Sequence, residues 1–304
     1  MKKILFSTFV LSFLFTSCQK NITTTPYEYA LLSAHVYDDK ELDELPKHFD
    51  PYMDFDEENY KSRLNINFGK VVDMVDKKEW GKLVPYVGVK AFSRGGYFGR
   101  AYINNKSNQI IIAHRGTDLD MRINELSIDQ ISIAIEGDKI WDILKDMDDD
   151  YDILHGEIPM QQFEAAQHFV GEVKTAYQKQ YNSEPQIIHT GHSLGAILAE
   201  LCAVKDNSRA ITFESPGSKP LAAQLVGSQE VNLDEVDVVT YNAAPNQINT
   251  LHEHLGEVIP LYDIAEAQSF HSDSDKVMSL RQHPIKELLK KFDAETGEPK
   301  GKEK

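Results

Sequence analysis

Cysteine is the scarcest chemistry in this chain: 304 residues hold two, Cys18 and Cys202. Once the N-terminal segment is set aside, Cys202 stands alone and an intramolecular disulfide is excluded. Positive charge is short as well. Lys and Arg number 32 against 48 Asp and Glu, a formal net charge of −16. That sign argues against nucleic acid as a partner and against electrostatic adhesion to anionic membranes. The most apolar stretch, Ile4 to Phe15, is too short to span a bilayer. Internal repeats and long low-complexity tracts are missing too. What is present is a full set of aromatics and 41% hydrophobic residues, compatible with a sizeable core and not with wholesale disorder. The length suits one large α/β domain or two small ones.

Lys2 and Lys3 precede the Ile4–Phe15 run, a charged start and apolar middle shaped like a signal peptide. The run ends in Phe15-Thr16-Ser17-Cys18, which resembles a bacterial lipobox, with Cys18 as the lipidated first residue of the mature protein. Phe15 departs from the smaller aliphatic usual at that place. Ordinary cleavage near Ser17 and an uncleaved anchor are the alternatives. The expected organisation is a signal peptide over 1–18, a Thr-rich tether over 19–26 and a single domain over 27–304. The expected location is the cell exterior: a membrane-anchored lipoprotein, otherwise a periplasmic or secreted protein.

Apolar spacing predicts an opening helix over 27–36, then strands over 69–75, 84–92, 97–103 and 109–114. Asn104-Asn105-Lys106-Ser107 marks a hairpin turn between the last two. A helix over 161–181 follows, then strands over 185–190, 208–214 and 236–241, and an amphipathic helix over 284–292. Strands alternating with helices predict a mostly parallel sheet with helices on both faces. Between the strand at 185–190 and a helix over 196–205 lies Gly191-His192-Ser193-Leu194-Gly195. Strand, G-x-S-x-G turn and helix together make the nucleophile elbow of α/β-hydrolases. Ser193 needs a strained turn to lift its hydroxyl clear, and side chains two residues either side would collide with the crossing strand and helix. The helix N-terminus aims N–H groups at any oxyanion forming beside the serine. Cys202 lies on that helix and reads as a buried structural thiol.

Three segments in order resemble the class 3 lipase family of α/β-hydrolases: His114-Arg115-Gly116-Thr117, the elbow in the form G-H-S-L-G, and Phe213-Glu214-Ser215-Pro216-Gly217. The resemblance runs from about Tyr27 to Phe292. It implies an α/β-hydrolase fold and an oxyanion hole built from Thr117 and the backbone N–H of Leu194. It also implies a lid after the oxyanion turn, where residues 119–135 carry seven Leu and Ile at close intervals. A segment packed permanently in the core is the alternative.

Hydrolases of this type run Ser, acid, His along the chain, so the base follows Ser193. His252 and His254 fall too early. His283, directly before Pro284 and the terminal helix, is the preferred base, and His271 is its competitor. The resemblance puts the acid in the loop after the strand at 236–241, where the aligned residue is Asn246. An asparagine can orient a histidine but cannot stabilise imidazolium by charge, and Asp→Asn at this place in a serine protease costs about 10⁴ in kcat. Asn246 is therefore the third member, or Asp263 or Asp237 substitutes, or catalysis is weak. The acidic run Asp142 to Asp152 lacks the glycine and glutamate spacing of an EF-hand and is expected to be a solvated loop. The expected function is hydrolysis of lipid carboxylic esters through an acyl-enzyme on Ser193, with no cofactor and no metal. The alternatives are an inactive lipid-binding lipoprotein, or a thioesterase or acyltransferase.

Overall fold

The computed structural model describes residues 24–37, 86–88, 92–94, 97–104, 109–116, 156–228, 231–246, 248–262 and 282–300. Its first helix, α1 (Pro26–His35), starts for local reasons. The Thr25 hydroxyl accepts from the Glu28 N–H at 3.3 Å while the Glu28 carboxylate accepts from the Thr25 N–H at 2.8 Å. This capping box satisfies two otherwise orphaned donors, and Pro26 at the first helical position loses nothing by lacking its own.

Eight strands form one sheet: β1 (Tyr86–Gly88), β2 (Phe92–Arg94), β3 (Tyr97–Asn104), β4 (Gln109–His114), β5 (Gln186–His192), β6 (Arg209–Phe213), β7 (Val238–Asn242) and β8 (Glu257–Pro260). The order is β1-β3-β4-β5-β6-β7-β8, with β2 also on β3. β3 runs antiparallel to β1, β2 and β4, and everything from β4 to β8 is parallel. Between the parallel strands come α2 (Met160–Tyr181), α3 (Leu194–Asp206) and α4 (Lys219–Val226), and near the end α5 (Ile285–Leu289).

From β4 to β8 the spatial order is the chain order. Crossovers between parallel strands are right-handed, so a sheet built in one direction puts all its crossover helices on one face. That is observed. Phe163, Phe169 and Val173 of α2, Leu198 and Leu201 of α3, and Leu221 of α4 share one core cluster with Ile110, Ile112 and Ile187. The opposite face holds the alternate residues Ile111, Ala113, Ile188 and Ile211, which would otherwise meet water. Among the described residues α1 and α5 cover them, through Tyr29, Leu32, Ile285 and Leu288. Each such buried side chain contributes roughly 1.5–3 kcal/mol. The architecture is that of an α/β-hydrolase, with a mostly parallel sheet and helices on both faces.

Element bounds depart from the hydrophobic pattern in four places, the first being the strand expected over 84–92, which is two strands, β1 and β2. α4 has no counterpart among the expected elements; it begins Lys219-Pro220, and proline is at home in a first helical turn. β8 has no buried residue among its four and so lacks the apolar run that marks a strand. α5 stops at Leu289, after which Phe292 turns back to bridge Pro299. The strand expected over 69–75 and the acidic run 142–152 lie outside the described residues.

Candidate active site

Ser193 follows the last residue of β5 and precedes α3, with φ 58° and ψ −128°. A non-glycine residue held at positive φ costs on the order of 1 kcal/mol or more, sustained only where the surroundings over-determine it. Here they do. The Ser193 N–H donates to the Phe213 carbonyl of β6 at 3.1 Å. A Cβ on Gly191 would overlap the Gly195 carbonyl, and one on Gly195 would sit 2.7 Å from Gly116 N. The two glycines therefore let strand, helix and the β4 turn cross at backbone contact. Leu194 and Gly195 open α3, where N–H groups have no intrahelical acceptor.

His283 Nε2 lies 3.0 Å from Ser193 Oγ, and both residues are buried. The group on the other side of the ring is Glu214, whose Oε2 stands 3.3 Å from His283 Nδ1. A carboxylate only accepts, so Nδ1 carries the proton and Nε2 is left to accept from the serine hydroxyl. Glu214 is fully buried. Its carboxylate collects a dense set of donors: Asn246 Nδ2 at 2.7 Å and Asn249 Nδ2 at 2.9 Å on Oε2, and the Ala243 N–H on Oε1. Amide donors and the imidazole replace the water this carboxylate gives up on burial.

The sequence reading missed Glu214, and it corrects the expectation for Asn246. Asn246 does not face His283; its amide N–H donates to Glu214 while its carbonyl oxygen accepts from the N–H groups of Ile248 at 2.9 Å and Asn249 at 3.0 Å. The residue that orients the imidazole comes one strand earlier. β5 and β6 pair with His192 opposite Phe213, so Ser193 and Glu214 are the next residues on two adjacent strands. Glu214 shares the strained backbone as well, with φ 51°, and its N–H donates to the Tyr241 carbonyl at 3.0 Å. The available signal was an acid directly after the strand paired with the elbow strand.

Asp237 is at the far end of the sheet, before β7, where it faces Arg209 across 3.6 Å on the surface. His254 donates from Nε2 to the Asn249 carbonyl at 2.8 Å, which helps to shape the loop that carries Asn249. Asp263, His271, Thr117, Cys18 and the 119–135 segment lie outside the described residues. Among the described residues no helix is long and apolar enough to cross a membrane.

A second buried polar group sits behind the elbow. Tyr97 Oη is 2.9 Å from His114 Nδ1, and His114 Nε2 is 3.0 Å from His189 Nδ1. Beyond His189 Nε2 stands the Asp206 carboxylate at 3.9 Å. A ring nitrogen facing a carboxylate bears the proton, which sets the direction Tyr97 to His114 to His189. With Cys202 these histidines place three ligand atoms within 4.8 Å of one another. Their chemistry suits a zinc-type ion, but the two nitrogens already bond each other. Burial also pushes the Cys202 thiol up to about 12. The group is a hydrogen-bonded chain.

This chain has a consequence for pH. Burial lowers His114 to about 3, and burial, then the neighbouring His114 and Lys174, push His189 well below 6.5. Both are neutral in the fold, whereas the unfolded chain protonates them near pH 6.5. Their contribution is therefore complete above pH 6.5 and is lost as pH falls below it. Two such groups remove roughly 3–4 kcal/mol between pH 7 and pH 5. Urea unfolding at those two pH values checks this, with His114→Gln expected to halve the loss. A pH-independent stability over that range would mean that protons reach these rings in the folded state.

No family model matches the chain. An uncharacterized protein of Rickettsia prowazekii (strain Madrid E) is 30% identical over 178 residues, covering 54% of this chain and 42% of that protein. The match thus spans about two fifths of the relative's length. Solved structures that resemble this chain include Lip2 lipase from Yarrowia lipolytica, with 17% identity, TM-score 0.37, and coverage of 68% of this chain and 80% of that one. Lipase II from Rhizopus niveus gives 15% identity, TM-score 0.39 and coverage of 73% and 71%. A mutant form of MDLA from Penicillium cyclopium gives 12% identity, TM-score 0.41 and coverage of 78% of each chain.

Proposed function

We propose that the protein is a serine hydrolase of carboxylic esters, acting through an acyl-enzyme on Ser193, with lipid esters as its substrates. The observation that carries this reading is the run Ser193 Oγ, His283 Nε2, His283 Nδ1, Glu214 Oε2, at 3.0 and 3.3 Å, on a strained elbow. His283 takes the serine proton as Oγ attacks the ester carbonyl, and Glu214 stabilises the imidazolium that forms. The tetrahedral oxyanion is met by N–H groups at the start of α3, Leu194 foremost, and Thr117, next in sequence after Gly116, is the second donor that the family resemblance implies. The proton then passes to the departing alcohol, and water repeats the sequence to release the acid. Asn246 kept an inactive reading open at the level of sequence; a charged partner for His283 is supplied by Glu214 instead. Export and attachment to a membrane through a lipidated Cys18 belong to the same proposal and would place the site near its substrates.

The test is hydrolysis of p-nitrophenyl esters of short and long chain by the purified protein, with a fluorophosphonate probe mapped by peptide mass spectrometry. Turnover with the adduct on Ser193 is expected, and a preference for long chains supports lipid substrates. No turnover at any chain length together with no adduct would falsify the reading.

A further inference from the structure

We infer that His192, the residue before the nucleophile, is a positioning residue that fixes where the general base stands; this rests on the serine-hydrolase reading. The G-x-S-x-G pattern leaves that position open, and here it is a fully buried imidazole at the end of β5. His192 Nε2 lies 2.7 Å from the backbone carbonyl of His283. A carbonyl can only accept, so Nε2 carries the ring proton and Nδ1 is an acceptor. Tyr37, just beyond α1, brings its hydroxyl within 3.3 Å of that Nδ1 and of the His192 carbonyl. The same hydroxyl accepts from the Gly116 N–H at 3.1 Å. The imidazoles of His192 and His283 stand with centroids 4.9 Å apart and planes tilted 44°.

The freedoms left to His283 show what this arrangement does. Its ring is held by Ser193 at one nitrogen and by Glu214 at the other. Those two bonds fix the ring only if the backbone beneath it stays put. Pro284 restricts that backbone from the C-terminal side, and His192 ties its carbonyl. The tie comes from the residue covalently joined to Ser193, so nucleophile and base are referred to one rigid strand end. A displacement of about 1 Å between reacting groups can cost about 10²-fold in rate. Tyr37 extends the frame, because its one hydroxyl joins the end of α1, the turn after β4 and the elbow. A buried polar ring at position 192 is explained by its two used nitrogens, since without partners it would cost stability.

The experiment compares p-nitrophenyl ester kinetics of the full chain with His192→Phe, His192→Gln and Tyr37→Phe, each checked for folding by thermal melting. Phe keeps a ring without a donor, and Gln returns an amide N–H near the place of Nε2. His192→Phe is expected to lower kcat about 100-fold with KM within about threefold. Gln should recover to within about tenfold of the parent, and Tyr37→Phe should lose about tenfold. If His192→Phe does not fold, the Tyr37→Phe loss decides the matter. A folded His192→Phe within about threefold of the parent in kcat overturns the inference, as does a folded Gln variant no better than Phe. A parent chain without turnover removes the hydrolase reading and the positioning role with it. An active parent with unaffected variants removes only the latter.

Discussion

Glu214→Gln is expected to lower kcat by about 10⁴ with a much smaller change in KM, the loss known for the equivalent exchange in a serine protease. Two effects combine. Among the described residues the Glu214 carboxylate faces donors alone: His283 Nδ1, Asn246, Asn249 and the Ala243 N–H. A glutamine must turn its NH₂ toward one side of that set, so N–H meets N–H whichever way the amide is placed. If the NH₂ faces His283, the imidazole turns to its other tautomer and presents a proton, not a lone pair, to Ser193. The imidazolium also loses the negative charge that stabilises it, in a buried site where water cannot substitute. Glu214→Asp keeps the charge but shortens the reach by one methylene, and an intermediate loss is expected. Stopped-flow acylation of the three proteins would separate the chemical step from later ones. A glutamine variant within tenfold of the parent would remove Glu214 from the mechanism and return attention to Asp263.

The second large effect runs against the family resemblance. That family carries an aspartate where this chain has Asn246, so Asn246→Asp has the form of a repair. It is expected to harm the protein. Asn246 Nδ2 donates to Glu214 at 2.7 Å, and an aspartate has no donor to offer. Two carboxylates so close in a buried site cannot both ionise. The loss of the bond and the like-charge contact should cost about 3 kcal/mol, which lowers Tm by roughly 6–12 °C in a chain of this size. The sign with pH follows. A carboxyl that stays protonated in the fold but ionises in the unfolded chain destabilises more as pH rises above its unfolded value. The gap between variant and parent should therefore widen from pH 5 to pH 8. Asn246→Ala removes the donor to Glu214 and the acceptor of the Ile248 and Asn249 N–H groups without adding charge, so its loss, about 2–3 kcal/mol, should not widen with pH. Melting curves at both pH values check this, and an aspartate variant as stable as the parent at pH 8 would contradict the buried Glu214 environment.

Asn246 and Glu214 also show where sequence reading stops. The elbow is legible because its requirements are local: glycines at 191 and 195, a strand before and a helix after, all between Gln186 and Asp206. Candidates for the base could be narrowed by order along the chain and by the proline after His283. The acid obeyed neither kind of rule. Glu214 earns its place through the β5–β6 register, which sets His192 opposite Phe213, and no periodicity in either strand encodes that pairing. Its neighbours Asn246 and Asn249 then become intelligible as donors rather than as a failed triad. In the fold, α1 to α3 and the central strands announced themselves by buried apolar spacing. β8 did not, because an edge strand with no buried residue carries no such pattern.

The one-directional sheet has a consequence for the order in which the chain becomes competent. A ribosome delivers the residues from Pro26 onward in sequence, and α1 can dock on β4, β5 and β6 only after they exist. The same face is completed by α5, whose Ile285 and Leu288 meet Tyr29 and Leu32. His283 stands two residues before α5. The last layer of packing and the group that activates Ser193 therefore emerge in one short segment. Under the proposed mechanism, a nascent chain with the elbow already made is chemically silent, and reactivity arrives together with closure of the second core.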